Sequence, residues 1–101
     1  MTLCKKPYPT IKDVLESMQP PRAFDYVSYR LYLDTPDTFT EKSDHIFAGC
    51  FATNKANEII PLDGDTYSEN EKVLAYEEWT DPNSNISNGL TLVVLCEPDE
   101  L

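Results

Sequence analysis

The chain has 101 residues and a net charge of −10, with 18 Asp and Glu against eight Lys and Arg. This length corresponds to a single domain, and an aromatic share of 11% excludes a disordered acidic chain, which would hold few aromatic residues. The charge disfavours direct binding to nucleic acid, because carboxylates repel the phosphate backbone, and no segment has the roughly 20 consecutive apolar residues of a membrane span.

The N-terminal residues predict a tail followed by one short helix. Residues 1–9 hold two lysines and two prolines without a periodic pattern. Thr10 and Asp13 have the spacing of a capping box, in which each side chain accepts from the other residue's backbone N–H. Apolar residues then recur on one helical face, at Ile11, Val14, Leu15 and Met18. Residues 10–19 are therefore predicted to form an amphipathic helix that ends before Pro20 and packs on other elements.

Three segments alternate in the manner of β-strands. Residues 25–33 place tyrosines on a half-exposed face, opposite an apolar face. Residues 45–53 place Phe47 and Phe51 on one face of a second strand. Residues 90–96 are apolar on both faces, which is typical of a strand in the centre of a sheet.

The segment between the second and last of these strands has two interpretations. Residues 58–62 form a short extended piece, and a turn follows. Ser68 and Glu71 match a capping box, which favours the start of a helix, whereas residues 72–79 alternate as a strand does. We favour a turn or a single helical turn, followed by a strand over residues 72–79.

These elements predict an α+β fold, with one N-terminal amphipathic helix packed on an antiparallel sheet of four to five strands. A single domain spans residues 1–101, with residues 1–9 and 97–101 as flexible tails. The strand order and the oligomeric state stay open at this point.

The sequence matches no catalytic or metal-binding motif. His45 is the only histidine, and a single histidine at the start of a strand is most often structural or solvated. The calcium-loop template fails from Asp63, where Tyr67 takes a ligand position, and from Asp81, where Ile86 replaces the required glycine. We therefore predict no enzymatic activity, no cofactor and no bound metal.

The cysteines indicate a reducing compartment. Cys4, Cys50 and Cys96 are odd in number and far apart in the sequence, without a CxxC pair. This pattern fits neither a zinc site nor a disulfide framework, so free thiols are expected. With no apolar run suited to a signal peptide near Met1, a cytoplasmic location is predicted.

The acidic residues are concentrated in the second half of the chain. Residues 1–50 hold six Lys and Arg and seven Asp and Glu, whereas residues 51–101 hold two and eleven. Such a field attracts a basic protein surface, and a solvated face without a partner is the alternative. The predicted partner-binding residues are Asp63, Asp65, Glu69, Glu71, Glu77, Glu78, Trp79 and Asp81.

The chain resembles small uncharacterised acidic proteins that phages and conjugative elements of gut Firmicutes carry, in the segments TIKDVLESM, YVSYRLYL, IFAGCF, IIPLDGDTYS, VLAYEEW and GLTLVV. Such elements often carry small acidic host-interaction proteins. Anti-CRISPR proteins are one such class, and many of them mimic nucleic acid. The resemblance implies a protein that occupies a basic groove on a host protein. The alternative is a structural or accessory module, either a monomer or a homodimer that pairs through sheet edges or the tyrosine-rich face of the first strand.

Overall fold

The described residues form a six-stranded mixed β-sheet and one short α-helix. The computed structural model describes residues 1–18, 23–62 and 70–95. The elements in chain order are β1 (Thr2–Leu3), α1 (Ile11–Glu16), β2 (Tyr26–Tyr32), β3 (Ile46–Thr53), β4 (Ile59–Pro61), β5 (Val73–Asp81) and β6 (Ile86–Leu95). Single turns of 3-10 helix occupy Pro36–Thr38 and Pro82–Ser84.

The strand order is β1-β5-β6-β2-β3-β4, with β2 and β6 parallel at the centre and the other neighbours antiparallel. The predicted α+β class, with an antiparallel sheet of four to five strands, is therefore wrong. The protein is mostly β, because the helix covers only six residues. Strand β6 lies inside the sheet, as its apolar residues on both faces predicted, whereas no local sequence pattern encodes that its neighbours are β5 and β2.

Helix α1 begins at the predicted cap and is shorter than the predicted span of residues 10–19. The backbone N–H of Thr10 donates to Asp13 Oδ2 over 3.0 Å, and the Asp13 N–H donates to Thr10 Oγ1 over 3.1 Å. Six residues are too few for a helix that is stable alone. The helix is held by its apolar side, where Ile11, Val14 and Leu15 are buried in the core.

The N-terminal segment is part of the sheet, whereas a tail was predicted over residues 1–9. Thr2 and Leu3 pair with β5, and the backbone N–H of Cys4 donates to the carbonyl of Leu74 over 2.9 Å. A two-residue strand has no period that a sequence pattern could show. The second predicted tail, residues 97–101, lies outside the described residues.

The two faces of the sheet differ in how they are covered. On the face under α1, which we call the helix face, Leu90, Leu92 and Val94 of β6 join the main core. The opposite face, which we call the open face, carries Thr91 and Val93 of the same strand, because neighbouring residues of a strand point to opposite sides. A smaller apolar cluster covers one end of the open face, formed by Tyr32, Leu74, Ala75 and Val93 with Tyr8, Phe39 and Leu95.

A bulge in β3 separates two phenylalanines that were predicted to share a face. Phe51 pairs with Val27, whereas Phe47 pairs with Arg30, and the register shifts between these pairs. The extra residue, Ala48, reverses the alternation for the first part of the strand. Phe51 is fully buried on the helix face, and Phe47 lies exposed on the open face.

Candidate protein-binding surface

Strand β5 carries the described part of the predicted binding segment. Asp63, Asp65 and Glu69 lie outside the described residues. The four predicted residues from Glu77 to Asp81 all lie on β5, which supports the strand interpretation for this part of residues 68–79. The remaining one, Glu71, precedes the strand, and its backbone carbonyl accepts from the N–H of Ile11 over 3.0 Å.

The carboxylates of β5 are divided between the two faces. Glu77 pairs with Thr91 and lies on the open face, as does Trp79, which pairs with Gly89. Glu78 lies between them in sequence and therefore points to the helix face. Both glutamates are exposed. One strand thus presents acid on both sides of the sheet. Glu77 shares the open face with Trp79, whereas Glu78 shares the helix face with Tyr76, which packs against the main core.

Three contacts hold the indole of Trp79 on the open face. The ring covers Gly89 so closely that a Cβ atom added there would lie 2.6–2.7 Å from three ring atoms. The indole Nε1–H donates to Thr91 Oγ1 over 3.0 Å. Tyr26 packs edge to face against the ring, with the centroids 6.0 Å apart. Trp79 is half-buried, because one ring face rests on Gly89 while the opposite ring face points away from the strand.

Glu77 lies beside this ring and forms an ion pair within the chain. Its side chain is 50% exposed, and Oε1 lies 3.2 Å from the ammonium group of Met1. Glu77 and Trp79 are two residues apart on the same face, which places their Cα atoms about 7 Å apart. A carboxylate and a fixed indole are therefore neighbours on the open face.

Asp81 has a structural role within the chain. It is the N-cap of the 3-10 turn at Pro82–Ser84, and its Oδ1 accepts from the backbone N–H of Asn83 over 3.1 Å. Its carboxylate thus stabilises the turn that leads into β6. The sequence Asp81-Pro82-Asn83 carries the signal for this role, since aspartate is favoured at N-caps and proline follows it at the first helical position.

Sequence reasoning missed a second cluster on the open face. Arg30 Nε donates to His45 Nδ1 over 2.7 Å, and the Arg30 guanidinium carbon lies 5.8 Å from the ring centroid of Phe47. Partial burial, and then the charge of Arg30, lower the pKa of His45, and Asp44 opposes this shift. The alternation in the sequence indicated outward-pointing side chains both in the tyrosine-rich strand and at the start of β3. Only the bulge, however, brings Phe47 to the side of Arg30.

His45 also borders a cleft of about 450 Å³ at one end of β2 and β3. The cleft is lined by Tyr32, Leu33, Asp34, Ser43, Asp44, His45 and Ile46. It is open, since Leu33 and Ile46 are 63% and 50% exposed. Because Nδ1 of the neutral ring accepts from Arg30, the ring proton sits on Nε2. That nitrogen is therefore a donor and has no lone pair to take a proton from Ser43.

Two half-buried thiols, Cys4 and Cys50, are free of disulfide bonds. Burial raises the pKa of the Cys4 thiol, which reduces its thiolate fraction and hence its nucleophilicity. Cys96 lies outside the described residues. Within residues 1–18, 23–62 and 70–95, no three His, Cys, Asp or Glu side chains are grouped closely enough to hold a metal ion.

Tyr32 of β2 is less accessible than predicted, whereas Tyr29 lies on the face that was predicted to be apolar. Tyr29 and Tyr32 are both 7% exposed. Tyr32 packs edge to face against Phe39 with the centroids 5.0 Å apart, and its hydroxyl hydrogen bonds with Thr38. The segment around the first 3-10 turn therefore covers this end of the strand, and Tyr26 is the tyrosine of β2 that remains half-exposed.

Comparison with known proteins gives no relative: no protein-family model, no curated protein and no solved structure matches the chain. No helix in the described part of the chain has the length and apolar character needed to cross a lipid bilayer.

Proposed function

We propose that this chain is a small acidic protein-binding module that occupies a basic groove on a partner protein. The observation that carries the proposal is the combination on β5, where the exposed carboxylate of Glu77 shares the open face with a fixed tryptophan and the exposed carboxylate of Glu78 lies on the opposite face of the sheet. Aromatic residues that are rigid before binding are favoured at the centres of protein interfaces, because little conformational entropy is lost on contact.

The charge of the chain supports a basic partner. A net charge of −10 on 101 residues creates a negative field that accelerates encounter with positive surfaces. Exposed charges more than about 8 Å apart are screened at physiological ionic strength. Binding through such a surface should therefore weaken with added salt, mainly through a slower association rate.

The narrower form of the proposal concerns the kind of partner. A protein that normally binds nucleic acid offers a groove lined with lysine and arginine. The resemblance to small acidic proteins of mobile elements favours an inhibitor that fills such a groove in the cytoplasm, as an anti-CRISPR protein does. On this proposal the chain acts by occupying the groove and carries out no chemistry.

The experiment is capture of the partner from the native host, with matched charge variants. One variant carries Glu77→Lys and Glu78→Lys on β5. Its control carries Glu16→Lys and Glu41→Lys, which change the net charge of the chain by the same amount, at exposed positions outside β5. The proposal expects a partner that the wild type and the control capture and the β5 variant does not. A partner that all three capture equally at low and high salt would refute it.

A second candidate function is self-association through the edge of β3. Ile46 and Phe47 are 50% and 51% exposed. Among the described residues, β4 pairs only with Phe51–Thr53, so the first part of β3 has a strand on one side only. Light scattering over a concentration series tests this candidate, and a strict monomer would exclude it. An Ile46→Lys variant should dissociate any dimer formed at this edge.

A further inference from the structure

We infer that the outer ring face of Trp79, together with the carboxylate of Glu77, is a subsite for a lysine or arginine side chain. This inference rests on the proposed function and names the part of the surface where a basic side chain of the partner would bind. The negative charge of the chain attracts a basic partner without favouring one part of the surface. The subsite would be a defined contact for one basic side chain of that partner.

The indole ring of Trp79 is held rigidly by its neighbours. Gly89 lies under one face of the indole, Thr91 accepts from its N–H and Tyr26 packs against it edge to face. The polar atom of the ring is therefore already satisfied within the chain. What Trp79 still offers is the opposite π face, which carries partial negative charge and attracts cations.

A negative charge lies beside the ring. Glu77 is half-exposed on the same face of the same strand, and it already draws an ammonium group to 3.2 Å. Its second carboxylate oxygen can accept a further donor. A guanidinium or ammonium group held over the indole would thus meet a π face and a carboxylate at once.

Arg30 is a positive side chain on the same face. Arg30 pairs with Val93 of β6. Glu77 pairs with Thr91, two residues earlier in β6, and lies on the other side of that strand. Its guanidinium is turned toward β3, where it contacts His45 and Phe47. Arg30 therefore leaves the negative character of the Trp79 side of the open face in place.

The probe for this subsite is the peptide acetyl-(Gly-Arg)4-amide, with the citrulline peptide of equal size as an uncharged control. Trp79 is the only tryptophan in the chain, so its emission reports on the subsite directly. Affinity is measured by the anisotropy of a fluorescein-labelled peptide at low salt. We expect the arginine peptide to bind saturably and shift the emission, and the citrulline peptide to do neither.

The variants separate the subsite from general charge. Glu77→Gln and Trp79→Leu should each weaken peptide binding about two- to fivefold, the range for an exposed ion pair or cation–π contact. Glu16→Gln, the same change on the helix side of the sheet, should leave it within experimental error. Trp79→Phe keeps a π face and should bind more tightly than Trp79→Leu. Circular dichroism confirms that each variant is folded.

The two proposals fail in different ways. If Glu77→Gln and Glu16→Gln weaken binding equally, or if the peptide leaves Trp79 emission unchanged, the subsite is refuted while an acidic binding protein remains. The same holds if the wild type does not bind the arginine peptide. If the natural partner is insensitive to the Glu→Lys pair on β5, the proposed function itself fails.

Discussion

Replacing Gly89 with alanine places a methyl group where the indole of Trp79 now lies. The new Cβ would be 2.6–2.7 Å from three ring atoms, whereas carbon atoms in contact prefer about 3.5–4.0 Å, so the ring must move by about 1 Å. Gly89 has no positive φ, so the backbone itself accepts alanine. Overpacking costs about 1–3 kcal/mol. Loss of the bond to Thr91 adds about 1 kcal/mol, and the stiffer unfolded chain offsets about 0.4–1 kcal/mol. We expect a net loss of about 2 kcal/mol in the free energy of unfolding.

The assay is urea denaturation followed by far-UV circular dichroism, in a double-mutant cycle with Trp79→Leu. Leucine at position 79 leaves room for the new methyl group, so Gly89→Ala should cost less than about 0.5 kcal/mol in that background. The difference between the two backgrounds isolates the contact with the indole. If alanine is equally costly with leucine at position 79, or if it is neutral in the wild type, the inference that the ring rests on Gly89 is incorrect.

Three further predictions concern the rest of the sheet and the helix. The pKa of His45 lies below its usual 6.5, so the folded state disfavours the proton. Stability should therefore fall as the pH drops below about 6.5 toward the folded-state pKa, and His45→Gln should remove this part of the pH dependence of urea denaturation. Phe51→Ala should cost about 3–5 kcal/mol in the free energy of unfolding because the side chain is fully buried, whereas Phe47→Ala on the same strand should cost less than about 1 kcal/mol; equal costs would contradict the assigned faces. Thr10→Ala removes a helix cap and should cost about 1 kcal/mol, whereas Thr35→Ala, at a 3-10 N-cap without a side-chain bond, should leave the melting temperature nearly unchanged.

Local signals in the sequence located most of the strands and the start of the helix. The period of two in residues 25–33 and 45–53 corresponds to β2 and β3, and the apolar run at 90–96 corresponds to most of β6. The capping spacing located the start of α1 at Thr10. These features depend on neighbours along the chain, which is why pattern reasoning reached them.

The pairing of strands could not be reached in the same way. The parallel contact between β2 and β6 joins Tyr26 to Gly89 and depends on the packing of the whole sheet. The bulge at Ala48 lies beside Gly49, whose φ is 158°, and a glycine inside a strand pattern is a known sign of a bulge. The alternation was nevertheless continued through it, so Phe47 was placed on the wrong face. The class prediction failed because the helix has only six residues and the sheet has six strands. The number of strands in the sheet becomes clear only when all strand pairings are known.

The candidate surface was likewise only partly predictable from local patterns in the sequence. The sequence placed Glu77 and Trp79 at strand spacing, and this spacing is what brings them to one face. The partners that immobilise the indole come from β6 and β2, far away in sequence, and no pattern within β5 indicates them. The role of Asp81 as a cap could have been recognised from the proline that follows it.

The position of β6 has a consequence for synthesis on the ribosome. Among the described strands, β6 is made after all the others, yet it joins β5 on one side to β2 on the other. A nascent chain that lacks Ile86–Leu95 has the strands for two partial sheets, β1 with β5 and β2 with β3 and β4, and no other strand of the described sheet pairs with both. Long-range pairing of this kind slows folding, and the apolar faces of both partial sheets stay accessible to chaperones and proteases until the ten residues of β6 leave the exit tunnel.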